Sequence, residues 1–335
     1  MPGYMALALL VVVMVVSTPV LLAEERAAGE GMTIRVLRHE VWSDRPPAGV
    51  EAHGIRRNLA IGDTVDFEGL SLSVLDTAAV GEAMEEGQEE AEGAADVDRV
   101  KLLLEDAAGK AIVTAAEGQA MVRGELRIAV VAIYTQEGEL GRGLTVIEVA
   151  TVDSLPAYLR DSADAGGAEQ RLRIRHAIDR LTLHHSATAH GPEDDLGRKL
   201  AAMQSWGASQ RNWWDVPYHY IVDLDGTVYQ GRDDRYLGDT NTRYDTAGHF
   251  LINCYGNYND QTPNEVQVET IARLMAWAVA EYEIEPIEIF GHRDLASTSC
   301  PGDHLQALIE DGTLERRVRE ILEEGVPRLV WVEGE

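Results

Sequence analysis

Apolar and polar residues alternate through much of the first half of the chain. Val100, Leu102 and Leu104 fall on one side of an extended segment, as do Ile128, Val130, Ala132 and Tyr134, and Val146 is followed two positions on by polar Glu148. A period of two is the signature of half-buried strands. Glycine-rich turns separate these runs, so residues 32–155 are predicted to form a small β-rich domain. Small and acidic residues around Asp161 to Gly167 mark a linker over 156–177, after which the pattern changes. Leu181 and Leu183 lead into a pair of histidines and read as a strand. Leu196, Leu200 and Met203 share one face of a helix over about Asp194 to Gln210. Tyr218 to Val222 and Thr227 to Gln230 flank Asp223-Leu224-Asp225-Gly226, a hairpin with an Asp-Gly turn. Phe250 to Cys254 and Ile287 to Phe290 are further short strands. Between them, Thr262-Pro263-Asn264-Glu265 carries a capping pair with Pro at the first helical position. Val268, Ile271, Met275, Ala278 and Tyr282 then line one side of the helix it opens. The second domain, 178–325, is therefore predicted to be α/β: a mixed central sheet flanked by helices, preceded by the smaller β-rich domain.

Composition sharpens this picture. The 335 residues suffice for about two domains, and 45% hydrophobic with 26% charged residues excludes fibrous, collagen-like or wholly disordered chains. The formal charge of -28 excludes a nonspecific grip on nucleic-acid phosphates or an anionic membrane. Eight carboxylates and no basic residue fall between Glu82 and Asp98, so 82–98 is expected to be a solvated acidic loop. Met5 to Ala23 is almost purely apolar and is followed by Glu24-Glu25. Residues 1–23 read as a secretory signal peptide cleaved near Ala23, or as a retained membrane anchor, and either reading puts the body outside the cytoplasm. In that compartment the two cysteines, Cys254 and Cys300, have one disulfide as their default.

The candidate chemistry argues against that default. Metal-capable side chains concentrate at Leu183-His184-His185-Ser186-Ala187-Thr188, at Gly291-His292-Arg293-Asp294 and at Ser299-Cys300-Pro301-Gly302. Zinc takes imidazole and thiolate ligands in a tetrahedron, and a catalytic site supplies three of them. His292 and Cys300 are eight positions apart across a loop with Pro301 and Gly302 just beyond it, and His184 would arrive from the first strand of the domain.

These segments, with Trp214-Asp215-Val216-Pro217-Tyr218, Asp225 to Arg232, Gly256-Asn257-Tyr258 and Thr298, resemble the zinc N-acetylmuramoyl-L-alanine amidases. That family shares its fold with the peptidoglycan recognition proteins. The resemblance covers about 178–312. It implies that His184, His292 and Cys300 hold one zinc ion, that Tyr218 stands near the attacking water, and that Thr298 helps polarise the substrate carbonyl. The implied reaction is hydrolysis of the amide between N-acetylmuramic acid and L-alanine, with peptidoglycan or muropeptides as partners. The alternative is a non-catalytic peptidoglycan-recognition module, and a zinc amidase for another N-acyl peptide is a third reading. Gly248-His249-Phe250 departs from the family pattern and bears on the shape of the groove.

The remaining residues carry plainer expectations. Alternation turns His185 to the face opposite His184. His219 and His249 are expected to be packed histidines, and His190 and His304 surface ones. Arg293 and Asp294 are expected to pair locally, and Cys254 to be a buried thiol. Trp206, Trp213 and Trp214 are candidates for the floor of a glycan groove, set against core packing. Arg232 is a candidate partner for a peptide carboxylate, set against a structural salt bridge.

Overall fold

The computed structural model describes residues 32–79, 97–135, 144–160, 162–164, 167–242, 244–285 and 287–333. The apolar segment 1–23, nearly all of the acidic loop 82–98 and part of the linker 156–177 lie outside the described residues. No helix among those described is long and apolar enough to cross a membrane.

A seven-stranded mixed sheet organises the α/β domain. Its strands run in the order Ile289–Gly291, Arg180–His185, His249–Cys254, Tyr220–Val222, Val228–Gln230, Thr33–Leu37 and Arg328–Val332. Adjacent strands are parallel except within the Tyr220–Val222/Val228–Gln230 hairpin. The helix Glu265–Glu281 packs on one face, and Thr313–Glu324 packs on that helix. The core there joins Leu181, Leu183, Phe250 and Ile252 to Ile271, Met275 and Val318. The helix Leu196–Gln210 is capped by Asp195, whose carboxylate accepts from Arg198 N. It packs through Leu196 and Leu200 against Val216, Ile221 and Tyr255. The other cap differs from its sequence reading by two positions. Asn264 is the N-cap and Gln267 completes the reciprocal box, so Pro263 precedes the helix rather than opening it.

Ahead of this domain, two antiparallel four-stranded sheets face each other. One runs Gly54–Leu59, Leu144–Thr151, Leu126–Tyr134, Ala120–Arg123; the other Thr64–Phe67, Leu70–Ala78, Arg99–Asp106, Gly109–Ala116. Val100, Leu102 and Leu104 point between them together with Leu72, Val74, Ile128 and Val130, the arrangement of a β-sandwich. The alternation read through Tyr134 does not persist. A register shift between Val146 and Ile147 leaves an extra residue opposite, so burial passes from Val130 to Ile133 instead of Ala132. Glu148, the polar residue two positions after Val146, is buried and bonded to Arg171 at 2.7 Å.

Thr33–Leu37 lies elsewhere than its position in the chain suggested. It pairs in parallel with Val228–Gln230 and Arg328–Val332 inside the large sheet, because Ile34 and Val36 supply apolar side chains to the helix-side core. Placing a carboxylate there by Val36→Asp is expected to destabilise the α/β domain by about 3–5 kcal/mol. Tryptophan-monitored urea unfolding checks this, and an unchanged midpoint would exclude the strand from the folded sheet.

Candidate metal centre

The site grows from the edge of the large sheet. In Arg180–His185, Leu181 and Leu183 enter the helix-side core, so the side chain of His184 emerges on the opposite face. His292 begins a single 3-10 turn directly after the neighbouring strand Ile289–Gly291. Cys300 follows on the next loop, just ahead of the helix Asp303–Glu310. The loop closes tightly at Gly302, whose φ of 94° favours glycine and whose position would drive a Cβ into the Tyr258 backbone. Arg293 and Asp294 brace this segment, though not through each other as expected. Arg293 pairs with Asp303 at 2.8 Å and also donates to the Ser299 carbonyl at 2.5 Å, while Asp294 accepts from Gly291 N at 2.7 Å and from Gln306 Nε2 at 2.9 Å.

These elements bring His184, His292 and Cys300 together, one ligand atom of each lying within 4.8 Å of the others. His184 Nδ1 is 3.6 Å from Cys300 Sγ, and the two imidazole centroids are 4.6 Å apart. All three are buried, with exposures of 1%, 6% and 7%. Hydroxyls occupy the Nε2 atoms: Tyr244 meets His184 at 3.1 Å, while Thr242 and Thr240 meet His292 at 2.5 and 3.3 Å. With Nε2–H donating to these oxygens, each Nδ1 keeps its lone pair for a metal, the usual outer support of a ligating histidine. The backbone N–H of His185 donates to Cys300 Sγ at 3.3 Å.

Burial first, and then the neighbouring His292, push the pKa of His184 well below its ordinary value. Burial, with a smaller effect of His185, brings His292 down to about 4. Both imidazoles are thus neutral at physiological pH, the form that binds metal. Burial pushes the Cys300 thiol up to about 12, so a metal entering here must displace its proton. Two neutral imidazoles and one thiol, converging and buried, fit a zinc ion with three protein ligands. Buried Asn253 is in register with His184, and its side chain meets the Tyr218 phenol.

Tyr218 lies beside this cluster, its ring 5.1 Å from that of His184. Burial and the neighbouring Cys300 raise its pKa, so the phenol stays protonated. Thr298 Oγ1 accepts from Cys300 N at 3.2 Å. A cleft of about 420 Å³ is bounded by Thr240, Thr242 and Tyr244 on one side and by Ile133 and Tyr134 of the β-sandwich on another.

Other sequence-derived candidates lie apart. Arg232 has no exposed surface. Its guanidinium donates to the carbonyls of Asp215, Val216 and Leu237, pairs with Asp239 at 2.6 Å and stacks 4.1 Å over Trp214. Its polar partners are all within the fold, and Trp214 is buried between it and Tyr236. His185 accepts from Tyr258 N through Nδ1 at 3.2 Å, away from the triad. His190, expected on the surface, is buried against Asp223 at 2.8 Å. His249 packs as expected and contacts Thr182 Oγ1 at 2.6 Å. Cys254 and Cys300 are both free. Tyr244, Thr240 and Thr242 were not found from the sequence, because isolated hydroxyls in a loop have no spacing signature.

Fold and donor set together define an α/β domain with three buried side chains, His184, His292 and Cys300, placed so that they could hold a metal ion. Residues 174–303 match the family model described as N-acetylmuramoyl-L-alanine amidase, and over that stretch the domain is similar both to such amidases and to peptidoglycan recognition proteins. The human N-acetylmuramoyl-L-alanine amidase is 31% identical over 134 residues, covering 38% of this chain and 23% of that protein. Peptidoglycan recognition protein 1 of Bos indicus is 28% identical over 148 residues, 44% of this chain and 78% of that one. The crystal structure of Drosophila peptidoglycan recognition protein SD aligns with 41% of this chain and 82% of its own, at 25% identity and a TM-score of 0.38. The chain spans about a quarter of the human, mouse and pig amidases it matches, at 23%, 26% and 22% of their lengths.

Arg232→Leu is expected to lower stability by about 3–5 kcal/mol, since it leaves Asp239 and three carbonyls short of a partner. A urea midpoint within error of wild type would return Arg232 to the list of ligand-facing residues.

Proposed function

We propose that this chain is a zinc-dependent N-acetylmuramoyl-L-alanine amidase, acting on peptidoglycan or muropeptides outside the cytoplasm. The observation that carries the reading is the convergence of His184, His292 and Cys300 in one buried pocket. A module that only recognised wall fragments would not need a complete ligand set. When bound, zinc would supply Lewis acidity and bring the pKa of a water down to about 7.

The chain's own groups do the rest. The protonated phenol of Tyr218 orients the attacking water from the His184 side. Thr298 accepts the Cys300 N–H, which leaves its hydroxyl proton to donate to the carbonyl oxygen of the lactyl amide as negative charge develops there. Burial of the ligands excludes bulk water and strengthens both interactions. The water oxygen bonds to the lactyl carbonyl carbon, the C–N bond to L-alanine breaks, and the alanine nitrogen leaves as an amine carrying a proton from that water. The apolar Met5 to Ala23 segment agrees with an extracytoplasmic substrate.

Incubation of the zinc-loaded chain with purified peptidoglycan is expected to release new L-alanine amino termini, and chelation to stop it. Their absence, with wall binding unaffected by chelator, would make this a recognition module, while cleavage of other N-acyl peptides alone would change the substrate. Cys300→Ser is expected to lose most bound zinc and activity, whereas His185→Ala keeps its metal. Full zinc content in Cys300→Ser would contradict the ligand assignment.

A further inference from the structure

One strand of the β-sandwich hydrogen-bonds directly to the segment beside the metal pocket. On Gly54–Leu59, Arg56 and Asn58 share a face, two positions apart, and both point at the chain around Asp239. Arg56 is buried, although it belongs to the other domain. Its Nη1 donates to Asp239 Oδ1 at 2.9 Å, and its Nη2 donates to Thr246 Oγ1 at 3.3 Å and to the Gly238 carbonyl. Asn58 Nδ2 donates to the Tyr244 carbonyl at 2.8 Å. From the α/β side, Arg232 takes the other oxygen of Asp239 at 2.6 Å. Asp239 is thereby held between one guanidinium from each domain.

The stretches Gly238–Thr242 and Tyr244–Thr246 have no helix or strand of their own to fix them. Among the described residues they nevertheless carry every side-chain hydroxyl found on the two histidines: Thr240 and Thr242 on His292, and Tyr244 on His184. A spacer or docking domain would meet its neighbour through a wet, polar rim. Here the contact has at its centre a buried arginine whose polar partners in the α/β domain, Gly238, Asp239 and Thr246, lie in the stretches that orient the ligands, with the more exposed Arg57–Asp245 pair at 3.9 Å beside it.

Resting on the metal site of the proposed function, we propose that the β-sandwich is a working part of that site: Arg56 and Asn58 are positioning residues that set the imidazoles of His184 and His292 through Asp239, Thr240, Thr242 and Tyr244. Neither residue touches metal or substrate. Both act by fixing the backbone that presents the hydroxyls.

The test uses the full chain with Arg56→Met, Arg56→Lys and Asn58→Ala. Zinc affinity is measured by competition with a chromophoric chelator, and the visible spectrum of the cobalt-substituted protein reports ligand geometry, both well below each melting temperature. Arg56→Met is expected to weaken zinc ten- to hundredfold, the usual range for an outer-shell support, and to alter the cobalt spectrum. Arg56→Lys recovers part of the affinity. Asn58→Ala, which spares the ion pairs, gives a smaller loss in a folded protein and decides the matter if Arg56→Met does not fold. Variants that melt earlier yet keep wild-type zinc affinity and cobalt spectrum would overturn the proposal and reduce the contact to a structural one. Because neither readout uses amide hydrolysis, a wild-type chain that binds zinc but cuts no peptidoglycan overturns only the proposed function. A wild-type chain that takes up no zinc overturns both.

Discussion

Two imidazoles and a thiol from three separate segments share one buried pocket, and the rest of this structure is arranged to make that tolerable. Three donors so close together and so far from water would be a poor use of a hydrophobic core unless a cation joined them. Each has been prepared for one. Burial strips the histidines of their protons, hydroxyls occupy the Nε2 atoms, and the His185 backbone N–H rests on the sulfur. The seven-stranded sheet supplies the rigidity, because His184 sits on a strand with parallel neighbours on both sides and His292 directly follows one of those neighbours.

Much of this was legible in the chain. The period-two runs marked strands of the β-rich domain, short apolar runs marked those of the α/β domain, and Asp-Gly and the capping residues marked the hairpin and the helix starts within a residue or two. The histidine pair, the second histidine motif and Cys300 carried the donor set, because zinc ligands announce themselves by residue type and by the turns that let them converge. Alternation alone separated His184 from His185.

What stayed hidden depends on long-range packing. Thr33–Leu37 is five residues of ordinary strand, and nothing local tells that it completes a sheet whose other strands begin about 140 positions later. The bulge opposite Val146 flips the phase of burial after Val130 without a glycine or proline to announce it. Arg232, Glu148 and His190 look like surface residues by type, yet each is buried because a partner of opposite charge or matching polarity is buried with it. Arg56 belongs to the same class. From the sequence it is one of two adjacent arginines, and only the fold shows it gripping the segment beside the metal pocket.

The central claim is that sulfur and two imidazole nitrogens meet at one zinc ion. X-ray absorption at the zinc edge on the full chain measures that shell directly. The account predicts one sulfur at about 2.3 Å and two imidazole nitrogens at about 2.0–2.1 Å. A shell of nitrogen and oxygen alone, or a chain isolated with Cys300 oxidised to Cys254, would contradict it.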